Sequence, residues 1–389
     1  MMKIGVDLRF LINPDFVTRG VGRYIIKLLE NMLNVREDIH FLLLVPQNYK
    51  EVLPGRILNH ARVQFDTSLF TIAKSKIGLL QQATQFPHAL AAKSVDLWHF
   101  PLVEISPPWL KTPFLTTVYD LYHYFSYLRK RKTMNEIWDW SIQKSSVRNS
   151  LHVITISEHT KQDVLNCFHK PLGKVSTVYL GIDTDIFFPE DPSFAREWLG
   201  KTYNIHEPYF LYVGGFDARK NIHRVLDIFH TLKNRQNAPH KLILSGRITK
   251  DCISLFQKVA ENRLFTEVFF LDYVPDSALR HLYAGATAFL FPSSFEGFGL
   301  PLLEALACHT PIIAFDNTSI PEVVGNTISL IPDGDWGEFS ERMRNFVEGF
   351  DEAFALDIEK VESHLEQFTW LRAAKQTLLL YEKCLSFES

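Results

Sequence analysis

The chain has 389 residues, room for two or three domains. Hydrophobic residues make up 46% and charged residues 22%, a globular composition, and a net charge of −3 removes any general electrostatic case for nucleic-acid binding. That charge is unevenly spread: residues 1–185 hold 22 Lys and Arg against 16 Asp and Glu, and the remainder holds 19 against 28. Cys167, Cys252, Cys308 and Cys384 are widely scattered, with no Cys-x-x-Cys pair, so free thiols in a reducing compartment are expected and no zinc cluster. Lys3–Val6 already reads as a strand, so no signal peptide is expected. No run of about 18 apolar residues predicts a transmembrane helix. The expected location is cytoplasmic.

In chain order the predicted strands are 3–6, 41–45, 97–100, 114–118, 152–156 and 175–179. The alternation restarts with 209–213, 241–244, 268–271, 288–291 and 311–314. Amphipathic helical stretches separate these strands, which predicts an α/β chain with mostly parallel sheets. Between the two series lies a turn-rich stretch, 181–192, ending in Pro189-Glu190-Asp191-Pro192. It reads as a linker between two Rossmann-like halves with a cleft between them. Ligands of such sheets are expected at the carboxyl ends of the strands.

The most informative stretch is 293–304, Ser-Ser-Phe-Glu-Gly-Phe-Gly-Leu-Pro-Leu-Leu-Glu. Glu296 and Glu304 bracket the Gly297-Phe298-Gly299 turn, and Pro301 opens an apolar helix. Glycines let backbone N–H groups approach a ligand, and the helix start can face a phosphate. Glu304, expected in the first helical turn, suits a vicinal diol as a two-oxygen acceptor.

A second motif follows the predicted strand 209–213: Gly214-Gly215-Phe216-Asp217-Ala218-Arg219-Lys220-Asn221. Asn221 is expected to cap the next helix. Two cations at a helix start oppose the macrodipole, which points to an anionic partner such as a diphosphate; a solvated pair is the alternative. Gly20-Val21-Gly22-Arg23-Tyr24 also opens a helix, and either offers donors to a phosphate or is an ordinary loop.

Asp120, after Tyr119, sits either at a sheet's carboxyl edge as a site residue or in a turn as a cap. His99 reads as packed and hydrogen-bonded. Asp183-Thr184-Asp185 looks like a metal-binding Asp-x-Asp, but it lies in the linker and has no grouped partners. The basic run 129–132 reads as a solvated helix face, with docking to anionic lipid as the sharper alternative.

Together these motifs resemble glycosyltransferase family 4, retaining enzymes of the GT-B fold. The resemblance is carried by Gly20–Tyr24, Ile156-Ser157-Glu158, Gly181-Ile182-Asp183 with Phe187 and Pro189, Gly214–Asn221, Glu296–Glu304, Pro311–Ala314, Pro321–Val324 and Phe368-Thr369-Trp370. The first half looks most like bacterial O-antigen and polysaccharide mannosyltransferases. The resemblance implies an acceptor-binding domain over 1–185, joined by the last helix, 370–389. It implies a donor-binding domain over 186–369.

Its residue roles carry over one by one. Arg219 and Lys220 would hold the donor diphosphate and stabilise it as leaving group. Glu304 would take the nucleotide ribose. Glu296 would face the hexose, and Gly215, Gly297, Phe298, Gly299 and Leu300 would line the sugar and phosphates. Val274, with Tyr273, would lie beside the base. Gly20 and Gly22 would reach the phosphates or the acceptor from the other domain, and Asp120 would join the catalytic group. Where many relatives have His-Asp, this chain has Tyr119-Asp120. Tyr119 offers a hydroxyl instead, and His123 is close in sequence.

The implied reaction moves a hexose from a nucleotide sugar to a glycan or lipid-linked acceptor. GDP-mannose ranks ahead of a UDP-hexose as donor, and no protein-held metal or tightly bound cofactor is expected. The positive first half fits peripheral contact with an anionic membrane. Two alternatives stand beside this reading: a nucleotide-sugar epimerase of the same fold, and a non-catalytic nucleotide-sugar-binding scaffold. A dehydrogenase is disfavoured, because no Gly-x-Gly-x-x-Gly follows the first strand.

Overall fold

The computed structural model describes residues 1–12, 20–46, 50, 53–68, 86–129, 134–349 and 356–386. Strand β1 (Met2–Asp7) is buried along nearly all its length, as are β2 (Ile39–Leu44), β4 (Leu97–Phe100), β5 (Phe114–Val118) and β6 (His152–Thr155). Strands this apolar need cover on both faces, which a parallel sheet flanked by helices provides. With β3 (Val63–Asp66) and β7 (Val175–Thr177) they form a seven-stranded sheet of order β3-β2-β1-β4-β5-β6-β7. All of its pairings are parallel.

The second sheet has the order β10-β9-β8-β11-β12-β13 and is again parallel throughout. Its strands are β8 (Tyr209–Val213), β9 (Lys241–Ser245), β10 (Val268–Leu271), β11 (Ala288–Phe291), β12 (Ile312–Asp316) and β13 (Ile331–Pro332). Its core is formed by Phe210, Tyr212, Leu242, Leu244, Leu290 and Ile313 packed against Val225, Leu226, Phe229 and Phe339 from the helices.

The chain divides into two compact units, Met1–Gly181 with Phe368–Ser389, and Ile182–Gln367. It has the GT-B fold: two parallel α/β units in sequence, with the last helix returning to the first. Two strands were not expected. β3 is a half-buried edge strand with little apolar signal, and β13 has only two residues.

Eight helices matter below: α1 (Gly20–Val35), α2 (Tyr122–Arg129), α3 (Pro192–Tyr203), α4 (Ile222–Gln236), α5 (Asp276–Gly285), α6 (Leu300–Ala307), α7 (Ile320–Val324) and α8 (Trp370–Ser386). α1 buries Tyr24, Ile25, Leu28, Leu29, Met32 and Leu33, one helical face. α8 buries Trp370, Ala373, Ala374, Thr377, Leu378 and Tyr381 at the same spacing and packs on α1. Thr369 caps it by accepting from Arg372 N at 3.2 Å. Its first turn presses on Gly181, where a Cβ would lie 2.3 Å from the Trp370 nitrogen, so only glycine fits there.

His99 anchors α8 to the first sheet. Its Nδ1 lies 2.7 Å from the Tyr381 hydroxyl and its Nε2 2.9 Å from Thr117 Oγ1. Burial pushes its pKa down to about 3, so the ring is neutral, as expected for a packed histidine. Most of the basic run 129–132 lies outside the described residues, as do Thr18 and Arg19. No described helix is long and apolar enough to cross a membrane.

Candidate functional site

In the second sheet the strand order reverses between β8 and β11, which pair directly. The loops leaving two such strands diverge and open a crevice at their carboxyl ends. Here the two loops are sewn together. Ser294 N donates to the Arg219 carbonyl at 2.9 Å, and Arg219 Nη1 donates to the Phe295 carbonyl at 3.0 Å. Asn221 Nδ2 donates to the Pro292 carbonyl at 2.9 Å. Lys220 Nζ donates to Glu296 Oε1, and Arg219 Nη1 lies 3.6 Å from Glu296 Oε2. Arg219, Lys220 and Glu296, 76 residues apart in sequence, therefore meet in one ionic cluster. Asp217 completes it by accepting from Arg219 Nε at 3.0 Å.

Lys220 and Glu296 are buried, and Arg219 is half-buried. An ammonium and a carboxylate in such a place need each other, because an unpaired buried charge is costly. The cluster is a preformed set of cations whose resting counter-charge is a carboxylate. A more highly charged anion can compete for the same donors.

The expected side-chain cap at Asn221 is absent. Its backbone is left-handed, with φ 56°, and its side chain holds Pro292 across the crevice rather than the α4 N–H groups. Asparagine tolerates that conformation better than most residues, so one residue both turns the chain and ties the loops.

The loop Ser293–Gly299 is held from its other side by the segment between β12 and α7, which the sequence reading did not single out. Glu296 N donates to Thr318 Oγ1 at 3.1 Å. Ser319 Oγ donates to the Glu296 carbonyl at 3.1 Å and the Phe298 carbonyl at 2.8 Å. Asn317 Nδ2 reaches the Ser293 carbonyl at 3.1 Å. The available signal was three hydroxyl or amide residues directly after a strand of the same sheet. Gly297, Phe298, Gly299 and Leu300 are all buried. Gly299, at φ +114°, makes the turn into α6; a side chain there would be strained and would meet Leu302 at 3.0 Å.

Glu304 is not in the first turn of α6, contrary to expectation. The helix begins at Leu300, with Pro301 second, so Glu304 lies just past the first turn. It is buried, and its Oε2 accepts from the Tyr283 hydroxyl at 2.9 Å. Gly215 lies in the turn after β8, and its carbonyl accepts from the Tyr212 hydroxyl. Val274 is buried beyond the end of β10, with Tyr273 exposed beside it.

In the first unit, Gly20 and Gly22 form the first turn of α1, Gly20 exposed and Gly22 buried. Asp120 makes a turn contact: its Oδ1 accepts from Tyr122 N at 2.9 Å, at the start of α2. The Tyr119 ring stands edge-on to Tyr24 at 5.6 Å, and its hydroxyl is buried without a hydrogen-bond partner among the described residues. Burial pushes the pKa of that hydroxyl far up, so it stays protonated. His123 is exposed on α2. Ser157 caps the helix Glu158–Phe168, accepting from Thr160 N at 3.0 Å, and Thr160 Oγ1 donates to the Tyr119 carbonyl at 3.1 Å. Among the described residues no three His, Cys, Asp or Glu side chains are grouped to hold a metal.

Two such α/β units, one carrying a cation cluster at its switch point, define a GT-B protein. Known proteins agree with that class. The model for Glycosyltransferase Family 4 matches residues 18–186, and the model for Glycosyl transferases group 1 matches residues 201–356. The chain thus carries a region similar to Glycosyltransferase Family 4 followed by one similar to Glycosyl transferases group 1.

Among curated relatives, O-antigen chain mannosyltransferase B of Escherichia coli is 30% identical over 230 residues, 59% of this chain and 60% of that protein. O-antigen chain mannosyltransferase RfbU of Salmonella typhimurium is 30% identical over 52% of each chain. The matched regions thus span between half and two thirds of these two relatives. Among solved structures, sucrose-phosphate synthase from Thermosynechococcus elongatus superposes with a TM-score of 0.74 at 21% identity, covering 99% of this chain and 100% of that one. Anabaena HepE in complex with UDP and glucose gives 0.75 at 16% identity, covering 98% and 100%. At these identities the likeness speaks for the fold alone.

Proposed function

We propose that this chain is a retaining hexosyltransferase. It moves a hexose, mannose ahead of glucose, from a nucleoside diphosphate sugar to a glycan or lipid-linked acceptor in cell-surface polysaccharide synthesis. The observation that carries this reading is the convergence of Arg219 and Lys220 with Glu296 at the switch point of the second sheet. Mannose is favoured by the names of two relatives, both O-antigen mannosyltransferases. GDP-mannose is the preferred donor, and a UDP-hexose is its rival because a neighbouring structure was solved with UDP.

In this reading the second unit holds the donor. Arg219 and Lys220 bind the diphosphate, Glu304 the ribose, Glu296 the hexose, and Val274 lies beside the base. The bond between the anomeric carbon and the diphosphate oxygen breaks, and negative charge grows on that oxygen. Two fixed cations in a half-buried site stabilise that charge, the largest single contribution such a site can make. The acceptor hydroxyl adds to the same face of the sugar and passes its proton to the departing phosphate. Asp120 of the first unit is assigned to the catalytic group, and Tyr119 and His123 to the acceptor and sugar side. That unit's excess of basic residues fits an acceptor carried on an anionic membrane surface.

A thermal-shift panel of UDP, GDP and ADP with their sugars tests the donor, since a ligand of the folded state raises the midpoint. Product analysis by NMR tests the stereochemistry. An inverted anomer would overturn retention, and a free hexose epimer formed without acceptor would overturn the transferase reading. Unchanged liposome binding after neutralising residues 129–132 would remove the membrane assignment from that run.

A further inference from the structure

Glu304 reaches its assigned role only if its carboxylate is held in one plane. A diol is gripped by both oxygens of a carboxylate, and a freely turning group presents them in the wrong direction most of the time. The Tyr283 hydroxyl donates to Glu304 Oε2 at 2.9 Å, and both side chains are buried.

Tyr283 is itself immobilised. Its ring stands edge-on to Phe289 of β11 at 5.2 Å and to Phe187 at 6.1 Å. Its carbonyl accepts from Thr310 Oγ1 at 2.9 Å. The helix that carries it, α5, is clamped one turn earlier. Glu190 accepts from Arg280 Nη2 at 3.1 Å and from His281 Nδ1, and Arg280 lies 4.1 Å over the Phe188 ring. α5 also packs along α3. The hydroxyl is thus presented to Glu304 from a fixed direction.

We propose that Tyr283 is a positioning residue that orients Glu304 toward the ribose hydroxyls of the donor nucleotide, so that recognition of the sugar of the nucleotide depends on Tyr283 as well as Glu304. The inference rests on the assignment of Glu304 to the ribose, and the experiment separates the two. Affinities for UDP and GDP, and for their 2′,3′-dideoxy forms, are measured by calorimetry with the wild type, Tyr283→Phe, Glu304→Gln and the double variant. The readout is the preference for the ribonucleotide over the dideoxy form.

Loss of one hydrogen bond to a charged group predicts about a tenfold drop in that preference for Tyr283→Phe. Dideoxy affinity should stay at the wild-type level. Glu304→Gln should lower the preference as well, and the double variant no further than Glu304→Gln alone. If Glu304→Gln lowers the preference and Tyr283→Phe does not, this inference falls and the ribose assignment stands. If neither variant changes it, the ribose assignment falls and takes this inference with it. If Tyr283→Phe weakens both nucleotide forms equally, the tyrosine is only structural and the proposal is overturned. Should Tyr283→Phe fail to fold, 3-fluorotyrosine introduced at position 283, which keeps the ring and makes the hydroxyl a stronger donor, decides: a changed ribonucleotide preference at unchanged dideoxy affinity supports the proposal, and an unchanged preference refutes it.

Discussion

The two sheets of this chain share one strand order over six strands, the first adding a seventh at its edge, and each order reverses once, between β1 and β4 in the first and between β8 and β11 in the second. Both reversals carry buried charge, used in opposite ways. In the first, Arg9 turns back on Asp7 two residues away, its Nε 2.9 Å from both carboxylate oxygens and its Nη2 2.6 Å from one. Phe86 lies 3.6 Å beneath the guanidinium. The next polar group along, His99, is spent on Tyr381 and Thr117. In the second reversal, the cations come from one loop and their carboxylate from the other. An ion pair closed within one loop is a brace for that loop. An ion pair shared between two loops spans the crevice, where a ligand can take its place. Topology supplied two equivalent crevices, and only residue placement distinguishes them.

The sharpest way to break this contrast is to remove a cation from each side. Arg9→Ala strands the fully buried Asp7 carboxylate. Breaking such a pair is expected to lower stability by about 3–5 kcal/mol, read by denaturant unfolding. Affinity for nucleoside diphosphates should be unchanged in the protein that remains folded. A loss of affinity there would make the first crevice part of the donor site.

Lys220→Ala is expected to do the converse. It removes a charge held for the developing diphosphate, and kcat/KM for the donor should fall about 10²–10³-fold, checked by steady-state kinetics. Turnover within about threefold of wild type would reduce Lys220 to a structural partner of Glu296.

The parts of this picture that were legible in the sequence share a cause. β8 and β11 are short apolar runs that end in glycine or proline, and their loops concentrate charge, so strand, turn and chemistry are all local signals. The resemblance puts Lys220 and Glu296 at one donor, but their direct ion pair is not legible in the sequence, because 76 residues of chain separate them and only the sheet order brings β8 beside β11. Thr318 and Ser319 were passed over because hydroxyls after a strand look like any loop. Tyr283 was hidden by its helix: at a buried position on α5 it reads as core, and its hydroxyl gains meaning only from Glu304. For Glu304 the difference is a single residue: the helix begins at Leu300 rather than at Pro301, which moves Glu304 just past the first turn.

His99 is neutral in the folded chain, its pKa held near 3 by burial, against about 6.5 in an unfolded one. Above the higher value both states are uncharged there and stability is complete. Between the two values only the unfolded chain binds the proton, so stability is lost as pH falls. At pH 5 the loss from His99 is about 2 kcal/mol. His152 and His240 are pushed down the same way by burial, each to about 4. Stability against unfolding, followed from pH 7 to 5, should therefore fall steadily, and His99→Gln should flatten the part of the curve that belongs to the first unit. An unchanged slope would mean that His99 is protonated within the folded chain.

The smallest expected effect bears on how the second crevice keeps its shape. The ion cluster alone could hold the loop Ser293–Gly299, or the Ser319 hydroxyl could be needed as well. That hydroxyl is buried and shared between the carbonyls of Glu296 and Phe298, the residues on either side of Gly297. Ser319→Ala leaves both carbonyls short of a donor, at a cost of about 1 kcal/mol. If that cost falls on the loop rather than on the fold, donor affinity should drop about fivefold while the unfolding midpoint barely moves, because a loop that samples other positions binds in proportion to the time it spends in the competent one. A lowered midpoint with unchanged affinity would assign Ser319 to the core and leave the geometry of the crevice to Arg219, Lys220 and Glu296 alone.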